Sequence, residues 1–222
     1  MARARPSPEE SNIYCKSMLP VKSKYKIAKR LGANIFEQTQ TQKFALSEAR
    51  SQKIKRGGRG RGGSDYGRQL LEKQRARYTY GLSERQLSNY AKSAYAEADP
   101  STSLHRKLEM RTDSVVYRSG IAPTRRAARQ LVSHGHITVN GRRITTPSHQ
   151  LKKGDTISVR EGSRKSPLFT KFSEAPEAGQ RAVPHWLSFD PSTLKAEVTG
   201  EPLYTPLETT LDYPVVFEFY SR

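Results

Sequence analysis

Cysteine is nearly missing: Cys15 stands alone among the 222 residues. That excludes an intramolecular disulfide and a zinc cage built of thiolates. Long apolar runs are missing too. No stretch approaches the roughly 20 residues a helix needs to cross a bilayer, and none resembles the apolar core of a signal peptide. The opening, Met1 to Glu10, is polar and carries Pro6 and Pro8, so the chain reads as cytoplasmic, with no membrane partner. Hydrophobic residues make up only 34%, against roughly 45–50% in ordinary globular chains on a count that includes Gly. Part of the chain is therefore expected to be ordered by a partner. Acidic residues are the last shortage: 21 Asp and Glu face 39 Lys and Arg, a net charge of +18. A field of that sign gathers polyanions and opposes compaction of the free chain. Nucleic acid is the natural counterion, because each cation that neutralises a phosphate releases condensed ions.

Residues 1–63 read as an extended basic segment. The first 17 lack periodicity and are expected to be dispensable, with Met18 a candidate start. One short periodic stretch, Tyr25 to Phe36, precedes a run of cations: Arg50, Lys53, Lys55, Arg56, Arg59 and Arg61. The run ends in Arg56-Gly-Gly-Arg-Gly-Arg-Gly-Gly63, which has nothing apolar to bury. Gly58, Gly60 and Gly63 have the spacing of a dinucleotide fingerprint, but that fingerprint has meaning only between a strand and a helix, and no strand precedes it. A segment tracking a nucleic-acid backbone fits the composition; a solvated linker is the bland alternative.

From Ser64 to Asp99 the pattern is helical. Ser83-Glu-Arg-Gln86 is a capping box, and Leu87, Tyr90, Ala91, Ala94 and Tyr95 recur as one buried stripe. Asp99-Pro100 ends it. Upstream, Arg68, Lys73, Arg75 and Arg77 alternate with Tyr66, Tyr78 and Tyr80, and Arg85 follows in the capping box. Guanidinium planes and tyrosine rings can hold phosphates and unstacked bases.

Residues 104–165 carry the most specific pattern. Leu104, Leu108, Val115 and Val116 mark one helix whose other face shows Arg106, Lys107, Arg111 and Arg118. Thr124 is a good N-cap for a second helix reaching Gly135. Arg125 and Arg126 sit in its first turn, where positive charge opposes the dipole, and Arg129 lies one turn on. A phosphate docked at the free amides would explain that clustering. Gln130, Ser133 and His134 join the candidate RNA contacts. Asn140-Gly141 is a type I′ hairpin signal that places Asn140, Arg142 and Arg143 at a tip, and Ile157 and Val159 alternate as a further strand. His134 and His136 lack additional ligands for a metal. From Ser166 onward four basic residues face eight acidic ones. This region is expected to meet protein, with Glu197 and Glu201 foremost. Trp186-Leu-Ser-Phe189 and Val215 to Tyr220 read as strands.

Seven blocks follow one another in a familiar order: Ser64-Asp-Tyr-Gly67, Glu72-Lys-Gln74, Tyr80-Gly-Leu-Ser-Glu-Arg-Gln86, Val115-Val-Tyr-Arg118, Ala128-Arg-Gln-Leu-Val-Ser-His134, Val139-Asn-Gly141 and Glu218-Phe-Tyr-Ser-Arg222. Together they resemble the bacterial-type small-subunit ribosomal protein number four, over about Lys24 to Arg222. The resemblance implies a structural constituent of the small ribosomal subunit. It also implies a primary binder of 16S ribosomal RNA that helps nucleate assembly of the subunit body and contributes to translational accuracy. Its implied partners are 16S RNA, small-subunit protein number five and other small-subunit proteins, with mRNA near its entry a further candidate. The two-helix-plus-hairpin unit is similar to the family's namesake RNA-binding domain, which pseudouridine synthases and tyrosyl-tRNA synthetases also carry. Some departures stand out. Relatives with four N-terminal cysteines hold zinc, which Cys15 alone cannot do. An acidic-containing insert replaces the usual basic opening before Met18. Ala127 stands where the second helix often has Glu, and Tyr204 where an Arg is common.

The expected fold is α+β: an extended basic N-terminal segment (1–63), a helical domain (64–103 with 166–222) closed by C-terminal strands, and an inserted RNA-binding unit of two helices and a small antiparallel sheet (104–165). No catalytic residue, cofactor or metal is expected. An RNA-modifying enzyme would need converging acid, base or nucleophile, and the carboxylates here are scattered. A helix-turn-helix DNA binder fits poorly with a hairpin directly after the second helix.

Overall fold

The computed structural model describes residues 21, 23–32, 35–55, 64–166, 169, 182–206 and 209–221, with backbone alone at 51–55. Two compact units divide the chain: Thr102–Leu203, and Met18–Ser101 with Tyr204–Arg222. Cys15, residues 1–17 as a whole and the Arg/Gly tract, with the expectations attached to them, lie outside the described residues.

The second of these units is helical: α1 (Lys24–Leu31), a 3-10 turn (Glu37–Thr39), α2 (Gln42–Lys55), α3 (Asp65–Thr79), α4 (Glu84–Tyr95) and, after the other unit, α9 (Tyr213–Tyr220). Ser64 caps α3 by accepting the Gly67 amide at 3.2 Å. The capping box of α4 forms in both directions, Gln86 N to Ser83 Oγ at 3.2 Å and Ser83 N to Gln86 Oε1 at 3.1 Å. Leu87, Ala91 and Ala94 are buried as the stripe predicts. Tyr95 is not: it is 63% exposed, its ring leaning on Phe217 with centroids 6.0 Å apart.

Residues 215–220 form the helix α9 rather than the strand their β-branched and aromatic content suggests. Asp212 accepts the Val215 amide at 3.5 Å, and Pro214 sits in the first turn, where its missing N–H costs nothing. Packing on α3 and α4 then outweighs intrinsic preference. Tyr213, Val215, Val216 and Phe217 are buried, the Tyr213 and Tyr80 hydroxyls meet at 3.2 Å, and Tyr220 donates to Glu84 at 3.0 Å.

The other unit begins within α5 (Pro100–Glu109) and continues through α6 (Thr112–Arg118), α7 (Arg125–Ser133), β1 (Ile137–Val139), β2 (Arg142–Arg143), β3 (Thr156–Val159), α8 (Glu161–Arg164), β4 (Leu187–Asp190) and β5 (Lys195–Val198). Pro100 thus opens α5, having the fixed φ suited to a first helical position. The helix expected from Leu104 to Val116 is two helices. Arg111 between them is extended, and the chain at 147–151 takes up the backbone groups released there. Leu151 N donates to Met110 O at 2.9 Å, and Thr112 N to His149 O at 2.9 Å.

The five strands form one antiparallel sheet in the order β2-β1-β3-β5-β4. Asn140 (φ 49°) and Gly141 (φ 76°) make the β1–β2 turn left-handed at both central positions, as a type I′ turn requires. Strand β5 pairs with β3, Ile157 opposite Ala196. Residues 187–198 therefore complete the sheet of the RNA-binding unit, and do not close the helical domain as the sequence suggested. Val115, Val116, Ala128, Val132, Ile137, Ile157, Ala196 and Val198 share the core. Each large aliphatic side chain buried there contributes roughly 1.5–3 kcal/mol.

Candidate nucleic-acid interface

Helix α7 presents two faces. Ala128, Leu131 and Val132 are buried against the core, while Arg126 and Gln130 are exposed. Those two are four residues apart, so they share one stripe, which runs on to exposed His134 at the C-cap. The hairpin then returns to this helix end. Arg143 Nη2 donates to the His134 carbonyl at 3.1 Å, adding a cation where the helix dipole is negative. Gly135 makes room for it. Its φ is +71°, and a Cβ there would come within 2.1 Å of Arg143 Nε.

Directly before the hairpin's first strand lies His136, whose ring is 6.0 Å from that of His134 and whose Nδ1 meets Ser163 Oγ at 2.9 Å. Burial, then the charges of His134, Arg143 and Arg160, hold its pKa below the ordinary histidine value. The imidazole is thus neutral at pH 7, among cations whose fields converge on it. Arg126, Arg142, Arg143, Arg160 and Arg164 are all exposed. Arg160 and Arg164 were not among the residues expected from sequence, although Arg160, directly after the Thr156–Val159 alternation, was a visible signal.

Several predicted RNA contacts are occupied within the protein. Arg111 is fully buried and pairs with Asp113 through two bonds of 2.9 and 2.8 Å. Arg118 and Arg125 both turn onto Glu109, and Arg129 is 6% exposed. The three-guanidinium cradle expected of Arg125, Arg126 and Arg129 is therefore not assembled; only Arg126 of the three is exposed. The physical reason is a buried carboxylate that a charge count does not locate. The Thr124 hydroxyl accepts the Ala127 amide at 3.1 Å, and half-buried Ser133 donates to the Arg129 carbonyl at 2.8 Å. Asn140 donates to Asp155 at 2.8 Å and accepts the Thr156 amide at 2.9 Å, so its amide fastens the hairpin. Arg106 donates to Glu201 at 3.1 Å, and Lys107 is half-buried.

In the helical unit, Tyr66 is 49% exposed with its ring 5.8 Å from Phe219. Arg68 is exposed, 3.9 Å from Glu218. Lys73 is buried, with its ammonium 2.8 Å from Glu84 and 4.2 Å from the Phe219 ring centroid, so it holds helices together. Arg75 donates to the Leu31 carbonyl at 2.6 Å and pairs with Glu72. Arg77 reaches the Leu82 carbonyl at 3.3 Å and lies 5.8 Å from the Tyr78 ring. Arg85 is exposed, as are Lys26, Lys29 and Arg30 of α1, a basic helix face that the periodicity of Tyr25 to Phe36 did not by itself reveal. Lys53 and Lys55 lie on α2, their side chains outside the described residues together with Arg56, Arg59 and Arg61. Among the described residues no group of three His, Cys, Asp or Glu could hold a metal, and no helix is long and apolar enough to cross a membrane.

Known proteins share both parts of this chain. The family described as Ribosomal protein S4/S9 N-terminal domain matches residues 21–110, and the family described as S4 domain matches residues 110–157. Small ribosomal subunit protein uS4 of Roseiflexus sp. is 44% identical over 160 residues, covering 72% of this chain and 78% of that one. The protein of the same name from Corynebacterium kroppenstedtii is 45% identical over 160 residues, covering 72% and 79%. That from Borrelia turicatae is 36% identical over 201 residues, covering 90% and 96%. Identity at this level over most of both chains, with two family matches meeting at Met110, shows that the chain belongs to the small ribosomal subunit protein uS4 family.

Proposed function

We propose that this chain is a structural, RNA-binding component of the small ribosomal subunit and has no catalytic role. The observation that carries the reading is the exposed stripe Arg126–Gln130–His134, continued by Arg143 and Arg160 around one end of α7. Cations held at fixed positions on a rigid sheet-and-helix unit can neutralise phosphates where RNA helices crowd, and so set the angles between those helices. In the helical unit, Arg68, Arg85 and the α1 cations are further phosphate contacts in this reading, with Tyr66 a platform for an unpaired base.

The resemblance supports a finer account: early binding to 16S RNA, nucleation of the subunit body and an influence on accuracy. The exposed acids Asp190, Glu197 and Glu201 suit a basic protein neighbour, for which small-subunit protein number five is the candidate; mRNA near its entry is the other partner proposed. Co-sedimentation tests the reading. The full chain should remain with small subunits through a high-salt wash at about one copy per particle. Quantitative release, or equal retention on large subunits, would contradict it.

A further inference from the structure

Glu109, the last residue of α5, is 1% exposed. Its Oε2 accepts Arg118 Nε at 2.9 Å, and its Oε1 accepts Arg118 Nη2 at 2.8 Å and Arg125 Nη2 at 3.3 Å. Arg118 ends α6 and Arg125 begins α7, so one carboxylate joins three helices. Burial alone would raise the Glu109 pKa, but the charges of Arg125 and Arg118 and the Arg118 hydrogen bond hold it far below the usual carboxylate range. The acid is ionised throughout the physiological range. Arg125 has further anchors in Ser114 Oγ at 3.3 Å and the Tyr117 ring, 4.5 Å from its guanidinium carbon.

Both arginines nevertheless reach the surface. The Arg118 side chain is 39% exposed and that of Arg125 is 16% exposed, next in sequence to outward-facing Arg126. Released from the carboxylate, either could take a phosphate from any RNA, because phosphate contacts carry no sequence information. Held by it, Arg125 ties the first turn of α7 to α5, with Arg126 and Gln130 outward, while Arg118 ties α6 to α5.

We propose that Glu109 is a positioning residue that determines specificity: it withholds Arg118 and Arg125 from indiscriminate phosphate contact and sets the outward face of α7. The inference rests on the reading of this chain as an RNA binder. It assigns a selectivity role to a residue that touches no RNA, by removing attraction to wrong partners.

The test uses the full chain and its Glu109→Gln and Arg118→Gln variants, with folding followed by circular dichroism. Each is titrated against naked 16S RNA and an unrelated structured RNA of equal length, across a salt series. Glu109→Gln should bind the unrelated RNA more tightly, with a log–log salt slope steeper by about 0.7–0.9 for each additional phosphate neutralised. Its preference for 16S RNA should fall. Arg118→Gln should leave the affinity for 16S RNA and the slope unchanged. A folded Glu109→Gln variant with the parent's slope and preference overturns the proposal. So does an Arg118→Gln variant whose slope falls by the amount of one phosphate, since Arg118 would then already meet RNA; this arm decides alone if Glu109→Gln fails to fold. A parent chain that shows no preference for 16S RNA overturns the proposed function itself, a result distinct from both.

Discussion

Glu109 draws the guanidinium groups of Arg118 and Arg125 into one buried network, and Arg129 on the same helix as Arg125 is buried as well. Glu109 and Arg118 lie nine positions apart across a helix break, a separation that no helical spacing rule connects. The same network makes a prediction about acid. The Glu109 pKa is lower in the folded than in the unfolded chain. Its stabilisation is therefore present above the unfolded value, about 4.3, and is lost as pH falls through the folded one. Glu109→Gln should cost roughly 3–5 kcal/mol at pH 7, the range for breaking one side of a buried pair, and less at pH 3. Denaturant midpoints at the two pH values would show this, and an equal gap at both would contradict it. His105 acts higher on the pH scale. Burial chiefly lowers its pKa, Arg118 and Arg125 add to the effect, and Glu109 opposes it. The unfolded chain then binds more protons below about pH 6.5, so stability should already decline between pH 7 and 5. His105→Gln should flatten that decline; an unaltered slope would place its cause elsewhere.

At the scale of elements, local chemistry was legible wherever a side chain bonds its own neighbourhood. The Ser83 capping box, the Thr124 cap and the Asn140-Gly141 turn all form as their residue types demand. Val215 to Tyr220 misled because β-branched and aromatic residues suit strands. The opposing signals, Asp212 followed by Pro214, mark a helix start but are brief beside six apolar-rich positions. Asp212→Ala should accordingly destabilise the helical unit by about 1 kcal/mol, the usual worth of an N-cap. A change below a few tenths, read from thermal melts, would mean that packing alone holds α9. Gly135 is the sharper case. Gly135→Ala meets both a left-handed backbone and the Arg143 side chain. It should cost at least about 1 kcal/mol and lower RNA affinity by displacing Arg143. In an Arg143→Ala background the steric part of that cost should vanish, and identical costs in the two backgrounds would refute the contact.

For the whole molecule, composition and block order conveyed the class of partner and the α+β character, while the assignment of segments to units was harder to see. Strands 187–198 join β3 through pairing between residues about 40 apart, Ile157 with Ala196, and nothing local to either strand specifies that partner. Charge was legible as a total and not as a surface. Of the candidate cations, Arg126, Arg142 and Arg143 are exposed, Arg111, Lys73 and Arg129 are buried, and Arg160 had to be found from the structure.

Whether RNA binds across the stripe around α7 is read from the salt dependence of binding to naked 16S RNA. The full chain is compared with an Arg126→Ala, Arg143→Ala, Arg160→Ala triple variant whose fold is checked by its thermal transition. If the stripe is the RNA surface, the triple variant binds more weakly, with a log–log slope reduced by about 0.7–0.9 for each phosphate no longer neutralised. A folded triple variant with the parent's affinity and the parent's slope would contradict it.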